Sequence, residues 1–318
     1  EQSLRAALAG VADPHTGSDL VAQGSVRGLG IDGDRVAAEL VLGYPAGPEW
    51  RAALQARARE ALEAVPGVAA ATVTVASRVL AHKVQDDLAP LPGVRNLVVV
   101  ASGKGGVGKS TTAVNLALGL QAEGARVGVL DADIYGPSIP RMLGLKGRPD
   151  SPDGKTIEPM RNHGLQAMSI GLLVEGEDTP MIWRGPMVSS ALQQLLNESR
   201  WDDLDYLVVD LPPGTGDIQL TLAQKVPVAG AVIVTTPQDI ATLDARKALQ
   251  MFNKVGVPVL GIVENMAVHT CSNCGHSEHV FGAGGGERMA AQYGVPLLGS
   301  LPLDMRIRER ADGGEPTV

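Results

Sequence analysis

Leu97-Val-Val-Val-Ala-Ser102-Gly103-Lys104-Gly105-Gly106-Val107-Gly108-Lys109-Ser110-Thr111 decides how the rest of this 318-residue chain is read. The stretch opens as an apolar run, the pattern of a strand buried on both faces of a sheet. Glycines then crowd the turn, and an Ala- and Leu-rich helical stretch follows. Glycine lets backbone N–H groups curl around a phosphate, a lysine at the helix start neutralises β and γ oxygens, and the next hydroxyl suits Mg²⁺. The string fits G-x-x-x-x-G-K-[ST], so Gly103, Lys104, Gly105, Gly106, Val107, Gly108, Lys109, Ser110 and Thr111 are the candidate nucleotide-binding residues. Gly103, Gly105 and Gly108 also satisfy G-x-G-x-x-G, with Asp131 placed where a ribose-binding acid would lie. That dinucleotide reading leaves Lys109, Ser110 and Thr111 without a task. A triphosphate with Mg²⁺ is therefore preferred, and an NAD-dependent oxidoreductase is kept as a rival.

Outward from this loop, apolar runs rich in β-branched residues alternate with helical patterns. They are Leu97–Ala101, Val127–Asp131, Tyr206–Asp210, Ala231–Thr235, Val257–Glu264 and Leu297–Leu301. Helices between buried strands imply right-handed crossovers in a parallel sheet, an α/β fold with ligands at the carboxyl ends of the strands. Tyr206–Asp210 delivers Asp210 to that edge as a candidate Mg²⁺ carboxylate, with helix capping as the plainer alternative. Asp131-Ala-Asp133 offers a second carboxylate pair beside it. Asp133 is the candidate to orient an attacking water, with loop capping as its alternative.

Upstream, the chain reads differently. Gly24–Ile31 and Arg35–Leu42 form two strands through Asp32-Gly33, a hairpin dipeptide. In the second, Val36, Ala38, Leu40 and Leu42 share one face. Glu49–Val65 carries Trp50, Ala53, Leu54, Ala61, Leu62 and Val65 at helical spacing, and Pro66-Gly67 stops it before a strand at Val68–Val75. The expected organisation is a small α+β domain over 1–76, a proline-containing linker over 77–95 and a P-loop α/β domain over 96–318.

Composition sets limits. The formal charge is −8, spread over both halves, which disfavours nucleic acid as a partner. Nothing approaches the ~18–20 apolar residues that span a bilayer, and no secretory leader pattern opens the sequence, so a cytoplasmic protein with no membrane partner is expected. Only two cysteines occur, Cys271 and Cys274, in a polar segment with His269, His276 and His279. Three readings are open: half of the thiolates of a 4Fe–4S cluster, completed by a second chain, a zinc site with nearby histidines, or a redox pair. Trp183-Arg184-Gly185-Pro186 reads as a packed loop anchor, and Phe281–Gly286 as a flexible turn.

Lys104 is not demanded by the general phosphate-loop pattern. Lys104-Gly-Gly-Val-Gly-Lys109-Ser-Thr resembles the deviant Walker A loop of the MinD/ParA/nitrogenase iron-protein class. Asp131-Ala-Asp-Ile-Tyr-Gly-Pro-Ser138, Asp210-Leu-Pro-Pro-Gly-Thr-Gly-Asp217, Glu264-Asn-Met266 and Cys271-Ser-Asn-Cys-Gly275 together resemble the Mrp/ApbC branch of iron–sulfur cluster carrier ATPases. The resemblance implies a homodimer that binds and hydrolyses ATP with Mg²⁺ on Ser110 and Asp210, with Lys104, Lys109 and Asp133 catalytic and Asn265 at the base. It implies a labile 4Fe–4S cluster bridging two subunits through Cys271 and Cys274, handed to apo iron–sulfur proteins with cluster-assembly factors as partners. A positioning ATPase of the MinD/ParA type is the other reading. The N-terminal domain resembles a SufT-type iron–sulfur assembly domain, but Tyr44-Pro-Ala-Gly-Pro48 has no cysteine before the second-helix proline. Family members continue into a last helix beyond the point where this sequence stops, so that helix is expected to be missing here.

Overall fold

The computed structural model describes all residues except 83, 85–87, 174–184 and 318, and the main chain alone at 185–189, 217 and 218. Trp183 and Arg184 therefore lie outside the described residues. Glu1–Leu80 with Ala122–Ala125 form one compact unit, and Ala81–Gln121 with Arg126–Val318 a second.

The first unit runs α1 (Gln2–Ala9), the two-residue strands β1 (Ala12–Asp13) and β2 (Ser18–Asp19), β3 (Val26–Asp32), β4 (Arg35–Leu42), α2 (Pro48–Glu63) and β5 (Ala70–Ser77). β3 and β4 pair antiparallel through a turn in which Gly33 takes φ +60°, and β4 pairs parallel with β5 after the α2 crossover. The inward face of β4 is Val36, Ala38, Leu40 and Leu42, as the period-2 pattern requires. It shares a core with Leu54, Ala58 and Leu62 of α2, which stand one turn apart along the helix. Ala53, expected on that face, is exposed because it lies one position off the stripe. A polar network closes one end. The buried Asp13 accepts the Tyr44 hydroxyl at 2.6 Å and the His15 N–H at 3.0 Å, and Trp50 Nε1 donates to Tyr44 Oη at 3.1 Å. Burial and the Asp13 bond push the Tyr44 phenol up to about 12.

The second unit begins with β6 (Val94–Ser102), α3 (Lys109–Ala122), β7 (Val127–Asp131), the one-turn α4 (Ile139–Met142), β8 (Met160–Asn162) and β9 (Leu165–Ser169). It continues with a 3₁₀ turn at Ile170–Leu172, α5 (Gly185–Glu198), β10 (Leu204–Asp210), α6 (Asp217–Lys225), β11 (Val228–Thr235), α7 (Asp239–Lys254) and β12 (Val259–Glu264). A two-strand hairpin, β13 (His269–Thr270) and β14 (Ser277–Glu278), precedes α8 (Gly285–Tyr293), β15 (Leu297–Ser300) and α9 (Met305–Asp312). Among the described residues, eight strands form one sheet in the order β15-β12-β11-β6-β10-β7-β9-β8, and only β8 runs against its neighbour. All six predicted strands are present in this sheet. The continuous Val, Ile and Leu runs of β6, β7, β10 and β11 are buried, as in a sheet covered on both faces, whereas β15 at the sheet edge leaves Leu297 and Leu298 exposed. β8 and β9 add two strands that the sequence pattern does not mark. Leu165-Gln-Ala-Met-Ser169 has no β-branched residue, and its burial comes from lying beside β7.

Residues 281–284 are the turn that leads into α8, and Gly285 and Gly286 are the first two residues of that helix. A Cβ on Gly285 would stand 2.3 Å from Pro237 O, and one on Gly286 would stand 2.9 Å from Glu264 Cβ. The glycines are there for close approach, and the Gly286 N–H donates to Glu264 Oε2. No helix among the described residues is long and apolar enough to cross a membrane.

Candidate functional site

Strands β6, β10 and β7 are neighbours in the sheet; β10 and β7 end level with one another, and β6 runs two residues further. Asp210 pairs in register with Asp131 on one side and Val100 on the other. The glycine loop leaves β6 at this edge, and its glycines serve different ends. Gly106 and Gly108 adopt φ of +79° and +84°, the left-handed region that side chains resist. Gly103 lies against α7, where a Cβ would come within 2.0 Å of the Asp244 carbonyl carbon. The loop opens on a cleft of about 220 Å³ lined by Lys104, Gly105, Lys109, Ser110, Thr111 and Asp133. Eight of the nine predicted loop residues line that cleft or shape the turn. Val107 is buried beneath it.

Lys109 heads α3 and is nearly sealed from solvent. Its Nζ lies 2.6 Å from Asp210 Oδ1, 3.3 Å from Ser110 Oγ and 3.9 Å from Asp133 Oδ2. Burial raises the Asp210 carboxyl above its ordinary range, while Lys109 and the Ser110 hydroxyl hold it down. Asp133 is likewise raised by burial and lowered by Lys109. Asp210 Oδ2 is buried with no hydrogen-bond partner. An unsatisfied carboxylate oxygen next to a hydroxyl is costly in a bare fold and suits a hydrated divalent cation, so Ser110 and Asp210 fit Mg²⁺. Lys104 is half-buried, and its ammonium forms no ion pair among the described residues; its carbonyl accepts the Ser102 hydroxyl at 2.9 Å.

Asn265, one residue past β12, reaches the same loop. Its Nδ2 donates to Val107 O at 2.9 Å, and a Cβ on Gly108 would stand 2.1 Å from that nitrogen. The last glycine of the loop is thus packed under a side chain 157 positions later, which spacing alone does not reveal. Asp131 is fully buried and holds backbone rather than lining the cleft, and its partner Ser169 went unnoticed in the sequence.

From Asn265 the chain passes Met266, in the left-handed region at φ +58°, and enters the β13–β14 hairpin. Cys271 and Cys274 occupy its tip, half-buried and exposed respectively. Cys271 N donates to His276 O at 2.8 Å, and Gly275 N to Cys271 O at 2.9 Å. Backbone N–H groups of Cys274 and Asn273 aimed at the Cys271 sulfur hold its thiol below the ordinary value. Such a turn favours thiolate, the form that ligates metals. No helix begins at Cys271, as a thioredoxin-like redox pair would need. Among the described residues, no three His, Cys, Asp or Glu side chains converge as a metal site, so the histidines are not assembled around the pair. His279 Nδ1 instead bonds Ala267 O at 2.6 Å, at the base of the hairpin.

A strand, a glycine turn and a buried lysine–aspartate pair at the carboxyl edge of a parallel sheet define a P-loop nucleotide-binding protein. Residues 93–318 match the family described as NUBPL iron-transfer P-loop NTPase, and residues 1–75 match that of iron-sulfur cluster assembly proteins. The chain belongs to the NUBPL iron-transfer P-loop NTPase family. An iron-sulfur cluster carrier protein of Pseudomonas fragi is 62% identical over 260 residues, which are 81% of this chain and 90% of that protein. The iron-sulfur cluster carrier protein of Escherichia coli K12 is 65% identical over 227 residues, 71% of this chain and 61% of its own length. This chain thus spans less than two thirds of that relative. A nucleotide-binding protein of Archaeoglobus fulgidus solved in complex with ADP superposes with a TM-score of 0.63 at 38% identity, covering 71% of this chain and 88% of that one.

Proposed function

We propose that this chain binds and hydrolyses ATP and, as a homodimer in the cytoplasm, carries a labile 4Fe–4S cluster to apo iron–sulfur proteins. The observation that carries the reading is one short span. Residues 265–271 join the nucleotide cleft, at the Asn265 amide on Val107 O, to the first of the two thiols. The carrier relatives from Pseudomonas and Escherichia and the ADP complex from Archaeoglobus support it.

Gly105–Thr111 wrap the phosphates, and Lys109 neutralises the β and γ oxygens. Lys104, whose ammonium forms no ion pair among the described residues, crosses to the nucleotide of the facing subunit. Ser110 and Asp210 hold Mg²⁺, which when bound spreads the charge that builds on the phosphate oxygens. Asp133 orients the attacking water from the rim of the cleft. Asn265 meets the base through its amide oxygen, since its nitrogen is engaged on the loop. Positioning and electrostatics supply most of the rate gain, because phosphoryl transfer asks little covalent help of a protein.

Two thiolates per chain are half of what a 4Fe–4S cluster takes, and two-fold symmetry supplies the rest. The cluster is cargo, held between subunits, so its retention follows dimer geometry and through it the nucleotide state. Anaerobic loading tests this. About four irons and four sulfides per two chains are expected, lost in Cys271→Ala and Cys274→Ala while Mg²⁺-dependent ATP binding persists. A single protomer holding zinc and indifferent to ATP overturns it. NAD binding that survives Lys109→Ala would favour the oxidoreductase, and ATP-dependent pelleting with lipid or DNA the positioning ATPase.

A further inference from the structure

Asp131 does not line the nucleotide cleft, yet its carboxylate is fully buried beside it. Its Oδ1 accepts the N–H of Asp133 at 3.1 Å. Its Oδ2 accepts the N–H of Ile139, the first residue of α4, at 3.1 Å and the Ser169 hydroxyl at 3.2 Å. One carboxylate thereby ties both ends of the loop that carries Asp133. Ser169 closes β9 in register with Asp131, and because its oxygen accepts the Gly171 N–H at 3.1 Å, its hydrogen is left for the carboxylate.

We infer that Asp131 is a positioning residue: with Ser169 it fixes the backbone of Asp133, and so the place from which Asp133 addresses the attacking water. This rests on the reading of Asp133 given above. Three donors converge on two oxygens, a set that only a carboxylate satisfies. An asparagine would keep one acceptor and turn an NH₂ toward a backbone N–H. Burial and the neighbouring Asp210 carboxylate push Asp131 up to about 7 against those donors. An acid is thus retained where a neutral cap would avoid the cost of burying charge. A simple cap of the four-residue α4 would need only the Ile139 bond.

Acting through Asp133 has a signature that capping lacks. Steady-state ATP hydrolysis and nucleotide affinity are measured for wild type, Asp131→Asn, Asp133→Asn and the double variant, with Ser169→Ala and Ser169→Ala/Asp133→Asn beside them. Asp131→Asn is expected to lower kcat about tenfold to a hundredfold, the scale of an ångström's misplacement, with nucleotide affinity within about threefold of wild type. In the Asp133→Asn background the same change is expected to cost nothing, because the residue it positions is already disabled. Ser169→Ala, which keeps both backbone bonds, is expected to follow the same pattern with a smaller loss, and it carries the test if Asp131→Asn does not fold. Equal losses in the two backgrounds, or kcat and affinity falling together, overturn the inference. Wild-type hydrolysis by Asp133→Asn would instead overturn the role of Asp133, and this inference with it.

Discussion

Lys109 Nζ sits 2.6 Å from Asp210 Oδ1, with both side chains closed off from solvent. Each charge is tolerable there because the other is present. Removing one partner of such a pair strands the other, which costs about 3–5 kcal/mol. Lys109→Ala is therefore expected to lose both Mg²⁺-dependent ATP binding and stability on that scale. Adding Asp210→Asn is expected to restore most of the stability and none of the binding. Denaturant unfolding and calorimetric titration with ATP read the two separately, and a Lys109→Ala protein as stable as wild type would show the pair to be dispensable for folding.

Gly108 and Asn265 make a second testable pair. A Cβ at 108 would meet Asn265 Nδ2 at 2.1 Å, and φ is +84° there. Gly108→Ala is expected to weaken nucleotide binding by about 1–2 kcal/mol or more. Truncation to Asn265→Ala in that background is expected to recover part of the loss, since the clash goes while the backbone strain stays. No recovery would mean that the strain alone accounts for the glycine.

The glycines around the start of α8 separate close packing from looseness. Gly285→Ala drives a methyl toward Pro237 O and is expected to cost about 1–3 kcal/mol in thermal unfolding. Gly282→Ala has open space around it but φ +87°, and is expected to cost only about 1–2 kcal/mol. Two silent substitutions would restore the picture of a slack turn.

Tyr44 gives a pH dependence with a definite sign. Its pKa is raised from 10.0 to about 12 in the fold, by burial and then by the bond to Asp13. Stability that depends on the protonated phenol is fully present below pH 10 and is lost as pH rises through about 12. One of the four tyrosines is expected to ionise near that value in an ultraviolet titration. Tyr44→Phe is expected to remove that step and to destabilise by about 1–3 kcal/mol, as buried Asp13 Oδ2 loses its donor.

What the sequence discloses here follows the reach of each interaction. The six apolar strands and the loop after Ser102 are local patterns, and spacing suffices to read them. β9 is not, because its residues gain a strand conformation from pairing with β7 on one side and β8 on the other. Ala58 rather than Ala53 faces the core of the first unit, a difference of helical phase that a loose apolar stripe does not resolve. Asp131 with Ser169, 38 residues on, and Val107 with Asn265, 158 residues on, are joined by folding alone. Lys109 and Asp210 are each legible as motif residues, but their contact, and the orphaned second oxygen of Asp210, are set by the fold.

The thiols ride on a hairpin whose strands are two residues each, outside the eight-stranded sheet. So small an appendage contributes little to far-ultraviolet dichroism or to a melting curve. A preparation whose Cys271 and Cys274 have been oxidised in air would pass every global assay of integrity, bind its nucleotide and still arrive empty-handed. Quality control for this protein has to count free thiols, since the scaffold keeps no record of their loss.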